Sequence, residues 1–179
     1  MYIVSQIKSG FLLIDQQAAH ERILYERFKQ MLDNKATSVQ RQLFPKTLEF
    51  SHRESAILSD ILEDIRLLGF EVEAFGKNTF LVNGIPDDLL GHQDERALLE
   101  MLVDQFNRNL ELRLDNGENV ARALARSGAI RRGQSLDATE MQALIDQLFA
   151  CEIPFKSPSG KNCIITFDLD ELARRFDHS

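Results

Sequence analysis

The 179-residue chain is 44% hydrophobic and carries 21 Lys and Arg against 28 Asp and Glu, for a formal net charge of −7. That composition supplies one sizeable core or two small ones, and it excludes a domain that grips DNA over its whole surface by counterion release. No apolar run approaches the roughly 20 residues a bilayer span needs, and the two cysteines, Cys151 and Cys163, have no spacing that signals zinc or thiol redox chemistry.

Residues Tyr2 to Gln6 and Phe11 to Ile14 are apolar and β-branched on either side of Ser9-Gly10, which predicts an opening hairpin. From Ala18 to about Leu32, Ala19, Ile23, Leu24, Phe28, Met31 and Leu32 recur at helical spacing and predict a long amphipathic helix. Asp33 to Val39 lacks periodicity, and Gln40-Arg41-Gln42-Leu43-Phe44-Pro45 reads as a connection ahead of a short strand over Thr47 to Phe50. Ser51 and Glu54 have capping-box spacing, and a helix follows them to Leu68, before Gly69. Phe70 to Ala74 and Thr79 to Asn83 form a second predicted hairpin about Gly76-Lys77-Asn78.

A helix is expected from about Asp94 to Asn109, then a turn at Asp115-Asn116-Gly117 and a helical stretch over Asn119 to Ala125. Asp137 and Glu140 cap a further helix that runs to about Cys151. The Pro154 to Gly160 loop leads into a strand at Cys163 to Phe167, and Asp168 with Glu171 starts a terminal helix. No repeat of fixed period occurs, and neither a Walker loop nor a G-x-G-x-x-G fingerprint marks a nucleotide site.

Two short segments carry the sharper information. Asp15-Gln16-Gln17-Ala18-Ala19-His20-Glu21, with Glu26 beyond it, resembles the D-Q-H-A-x-x-E-x-x-x-x-E motif of the C-terminal domain of the MutL mismatch-repair family, with glutamine in place of the histidine. Ser157-Pro158-Ser159-Gly160-Lys161 is similar to that family's C-P-H-G-R motif, with the backbone-shaping residues kept and both ligands replaced. A third family motif supplies a cysteine, and Arg126 stands at the matching position.

A nuclease centre must gather nitrogen, sulfur and oxygen ligands around its cations at about 2 to 2.3 Å. Gln17, Ser157 and Ser159 lack thiolate charge and imidazole basicity, and Arg126 brings a charge that repels a cation. Of the family's metal positions Glu21 survives, with Asp15 nearby, so the resemblance implies a degenerate endonuclease motif and no bound metal. The alternative is a rearranged zinc or manganese endonuclease using Asp15, Glu21 and Glu26, or a magnesium ion held by two carboxylates and waters. The structural readings are plainer. Asp15 caps the helix behind it, Glu21 and Glu26 lie on a solvated face, and His20 is a surface or packing residue.

Arg122, Arg126, Arg131, Arg132, Lys156 and Lys161 form a candidate basic patch for weak DNA contact despite the acidic average, with solvated charge as the plainer reading. Gln40, Leu43, Phe44 and Pro45 resemble the family's sliding-clamp-binding segment, and a linker whose Leu43 and Phe44 pack inward is the alternative.

The resemblance spans essentially the whole chain. It implies an α+β domain with a discontinuous dimerisation subdomain, residues 1–43 and 116–179, and a smaller α/β external, regulatory subdomain inserted over 44–115. It further implies a cytoplasmic homodimer, with Ile3, Phe11, Leu13 and Phe167 as interface candidates, that couples the mismatch-recognition protein MutS to downstream repair factors. No membrane association is expected, and the family's ATP site is expected outside this chain.

Overall fold

A computed structural model describes residues 1–34, 39–89, 94–112 and 114–176. The elements run β1 (Tyr2–Ile7), β2 (Gly10–Asp15), α1 (Gln16–Asn34), β3 (Val39–Glu49), α2 (His52–Asp60), α3 (Leu62–Leu67), β4 (Glu71–Ala74), β5 (Thr79–Pro86), α4 (Glu95–Asn109), α5 (Asn116–Gly128), α6 (Ala138–Phe149), β6 (Ile164–Asp168) and α7 (Leu169–Arg175). Helix and sheet are both well represented, as an α+β chain requires.

The described chain divides into two compact units, one made of Met1–Ile23 with Ala129–Ser179 and the other of Leu24–Gly128. These breaks fall inside α1 and at the end of α5, away from the joins expected at 43/44 and 115/116. The reason is packing: Leu24, Tyr25 and Phe28 of α1 and Val120, Ala121, Ala123, Leu124 and Ala125 of α5 bury their side chains in the core of the second unit.

In the first unit, β1 and β2 pair antiparallel through a two-residue turn at Lys8-Ser9, with Ile7 opposite Gly10. Strand β6 returns across more than a hundred residues to pair with β2, giving the order β1-β2-β6. The pleat sends Ile3, Ile14 and Ile164 to one face, where they pack with Ala18, Ala19, Ile23, Leu144, Leu148 and Cys163. Helix α6 starts at the expected capping box: Asp137 Oδ1 accepts the Glu140 amide at 2.8 Å, and Glu140 returns the contact to the Asp137 amide at 2.8 Å. Asp168 caps α7 with a single side-chain contact, its Oδ1 accepting the Glu171 amide at 2.6 Å.

The second unit has a β3-β5-β4 antiparallel sheet whose buried residues, among them Leu48, Val72, Phe80 and Val82, join a single core with those of its helices. Strand β3 corrects the reading of Gln40 to Pro45 as a connection: it pairs with β5 from Val39 onward, with a register shift between Arg41 and Lys46. The shift takes Pro45, which has no amide to donate, out of the ladder. The Ser51–Glu54 capping box is present, but the helix behind it is interrupted at Ile61. Ile61 and Ile65 amides still bond to carbonyls four residues back, at 3.1 and 3.0 Å, so the apolar stripe carries through the break. Asp115-Asn116-Gly117 opens α5 instead of forming a free turn, because Asp115 Oδ1 accepts the Glu118 amide at 2.9 Å.

Candidate functional site

The residues of the two sequence motifs that fall in the first unit meet around the start of α1. Asp15 ends β2, its amide donating to Cys163 O at 3.0 Å, and its Oδ1 accepts the Ala18 amide at 3.0 Å. It is therefore the cap of α1, as its place before the helical period predicted. One turn on, His20 is buried, and its Nδ1 accepts the Ile130 amide at 3.0 Å, which leaves the proton on Nε2 and gives the ring a packing role.

Glu21 is not on a solvated face. It is 1% exposed and accepts the Ser159 amide at 3.2 Å across 138 residues of sequence. A carboxylate this deep requires such donors, since burying an unpaired charge is costly. Arg22, 7% exposed, donates through Nε to Lys156 O at 2.6 Å. Adjacent helical residues diverge by about 100°, so this pair reaches two different points of one loop.

The loop is itself tightly turned. Ser157 N donates to Lys161 O and Gly160 N to Ser157 O, each at 2.9 Å, while Gly160 takes the expected positive φ of 81°. Ser157 is buried, and its hydroxyl lies 2.9 Å from that of Ser159. Beneath the loop, Cys163 donates to Ala18 O at 3.4 Å. Burial, opposed by the nearby Arg22 charge and assisted by Glu21 and Asp15, pushes its thiol from 9.0 up to about 12.

Gln17 sits half-buried in the first turn of α1. Glu26 and Arg126 belong to the second unit, Arg126 in the last turn of α5. Among the described residues, no group of three or more His, Cys, Asp or Glu side chains is placed to hold a metal ion. Of the basic candidates, Arg131, Arg132 and Lys156 are exposed and Lys161 half-buried, all in the first unit. Arg122 lies in the second unit, where its Nε bonds Glu118 Oε1 at 2.6 Å and its guanidinium stands 5.4 Å from the Tyr25 ring centre. The side chains of Gln40, Leu43 and Phe44 lie outside the described residues; Pro45 is exposed.

The face of the β1-β2-β6 sheet opposite its core is also apolar. Val4 stands across from Leu13 and Leu13 from Ile165, while Phe11 stands across from Phe167. Val4 is 67% exposed and Ile165 47%. Phe11, Leu13 and Phe167 were singled out from sequence. Ile3 was too, but it alternates to the other side and is buried in the core, so it does not belong to this face. Tyr2, Val4 and Ile165 were missed; the period-2 alternation of β1 and β6 was the signal that could have found them.

Residues 1–136 match the family model described as the MutL C terminal dimerisation domain. The chain belongs to this family. It is 40% identical over 176 residues to the DNA mismatch repair protein MutL of Prosthecochloris aestuarii, covering 98% of the chain and 28% of that relative. To the protein of the same name from Chloroherpeton thalassium it is 41% identical over 178 residues, covering 99% and 28%. The chain thus corresponds to a little over a quarter of the length of these MutL proteins. Among its described residues no helix is long and apolar enough to cross a membrane.

Proposed function

We propose that this MutL C-terminal domain is a homodimerisation and scaffold module in mismatch repair, without nuclease activity of its own. The observation that carries the reading is the outward sheet face, where the rows Val4–Leu13–Ile165 and Phe11–Phe167 present apolar side chains that a monomer leaves in water. A twofold pairing of such faces removes them from solvent with one self-complementary surface. The discontinuous unit, Met1–Ile23 with Ala129–Ser179, acts as the dimerisation subdomain and Leu24–Gly128 as the external, regulatory one.

In this reading the dimer joins two ATPase arms, supplied by the remainder of a longer MutL, and couples MutS to downstream factors. Gln40, Leu43, Phe44 and Pro45 offer a sliding clamp a short peptide at the start of β3, and Arg131, Arg132, Lys156 and Lys161 give weak, salt-sensitive DNA contact. The endonuclease alternative has less support: Asp15 is used as a helix cap, Glu21 accepts a loop amide, and the serines at the second motif are poor ligands for zinc or manganese.

Sedimentation of the chain at micromolar concentration tests the central claim. A dimer is expected, converted to a folded monomer by Val4→Asp with Ile165→Asp; a wild-type chain that sediments as a monomer overturns it.

A further inference from the structure

The metal centre that the family motif implies and the residues standing at its positions do not fit one another. Ser157 and Ser159 offer hydroxyls that bond each other at 2.9 Å, and the surviving carboxylate, Glu21, is directed to a backbone amide. A buried guanidinium, Arg22, holds the other end of the same loop through the Lys156 carbonyl. A divalent cation anchors such a loop by drawing side chains from distant segments onto one point. Here the same two segments are joined by two charge-assisted hydrogen bonds, one accepted by an anion and one donated by a cation at consecutive helix positions.

We propose that Glu21 and Arg22 form a metal-independent clasp that fixes the 155–161 loop on α1, the pair acting as positioning residues where a metal-binding relative would use an ion. The three contacts are complementary. Glu21 stops the Ser159 end from lifting, Arg22 stops the Lys156 end, and the Ser157 amide bond to Lys161 O closes the turn between them. Both side chains are already buried, so releasing either costs a buried charged group one of its hydrogen bonds and the loop resists partial opening. The clasp stands apart from the dimer reading, which sedimentation tests by itself.

Hydrogen exchange of the Ser157 to Lys161 amides in the full chain decides the matter. In the metal-free protein these amides should be protected, and neither EDTA nor added zinc should change their rates. Glu21→Ala should speed exchange at Ser159 by about tenfold or more, the scale expected for losing a hydrogen bond to a charged acceptor. Glu21→Gln keeps an oxygen to receive the amide but not the charge, and should fall between wild type and Glu21→Ala, whereas a metal ligand would not survive that change. Arg22→Lys keeps the charge but loses the Nε geometry, and should loosen the Lys156 end. Faster exchange in EDTA, slowing by zinc that depends on Glu21, or a Glu21→Gln protein that behaves like Glu21→Ala would each overturn the proposal. The EDTA arm needs no variant, so it stands even if Glu21→Ala does not fold.

Discussion

Phe11 and Phe167 face each other across the β2–β6 ladder with ring centres 4.9 Å apart and planes inclined by 13°, a stacked pair on the outward face of the sheet. The Arg175 guanidinium of α7 lies 5.8 Å from the Phe167 ring centre. The pair therefore ties the last strand, and the helix after it, to the opening hairpin. A double-mutant cycle with Phe11→Ala and Phe167→Ala, followed by urea unfolding, should return a coupling of about 0.5–1.5 kcal/mol, the range for directly opposed aromatic rings. Additive losses would mean that the rings contribute only through separate burial.

Gly10 is a point of close backbone approach in the same ladder. A Cβ built there would stand 2.0 Å from the Phe167 carbonyl oxygen and 2.9 Å from the Asp168 Cα, with a backbone φ of +154° that other residues rarely adopt. Both obstacles are backbone, so no side-chain rotation relieves them. Gly10→Ala is expected to lower stability by at least about 3 kcal/mol, through backbone strain and lost β2–β6 pairing. The check is a thermal or urea melt, with loss of amide protection concentrated in β6. A melting curve unchanged from wild type would show that β6 can shift to make room.

Features fixed by neighbours in sequence were legible before the structure. The Asp137–Glu140 box and the Asp168 cap each depend on residues three apart, and the opening hairpin on two alternating runs around one turn. Strand β3 was not legible because Pro45 and the run before it break the period, and a register shift is what accommodates them. The Asn116-Gly117 pair was misread for a related reason: the same residues that favour turns also open helices, and the deciding contact, Asp115 to the Glu118 amide, is a matter of geometry. In the candidate site, Asp15 as a helix cap was readable. Glu21 on Ser159 and Arg22 on Lys156 were not, since each contact spans more than 130 residues and no periodicity encodes it.

Cys163 and Cys151 should behave as different thiols. Cys163 is buried under the loop with its thiol pushed up to about 12, whereas Cys151 is half-buried. Because the thiolate is the reactive form, an alkylating reagent at pH 8 should modify Cys151 and spare Cys163 until the protein unfolds. The same shift sets a pH dependence. The folded state keeps the Cys163 proton that the unfolded chain gives up above 9.0, so stability is fully present below that pH and declines from there toward 12. Urea midpoints measured from pH 7 to 10.5 should fall more steeply above 9 in wild type than in Cys163→Ala. Equal slopes would assign the alkaline loss to other groups.

The chemistry left at the start of α1 gives the last expectation. Hydrolysis of a phosphodiester needs a polarising cation or a poised base near the scissile bond. Asp15 Oδ1 is bonded to the Ala18 amide, Glu21 Oε1 is bonded to the Ser159 amide, and His20 Nδ1 holds the Ile130 amide, so these three groups at the start of α1 are engaged by backbone. Freeing Glu21 would release one end of the 155–161 loop, and freeing Asp15 would uncap α1. Supercoiled plasmid incubated with the chain and manganese should accordingly remain intact over hours, with Glu21→Ala indistinguishable from wild type in the same assay. Nicking by the wild-type chain that Glu21→Ala abolishes would instead place a working cation beside that carboxylate and favour the endonuclease reading.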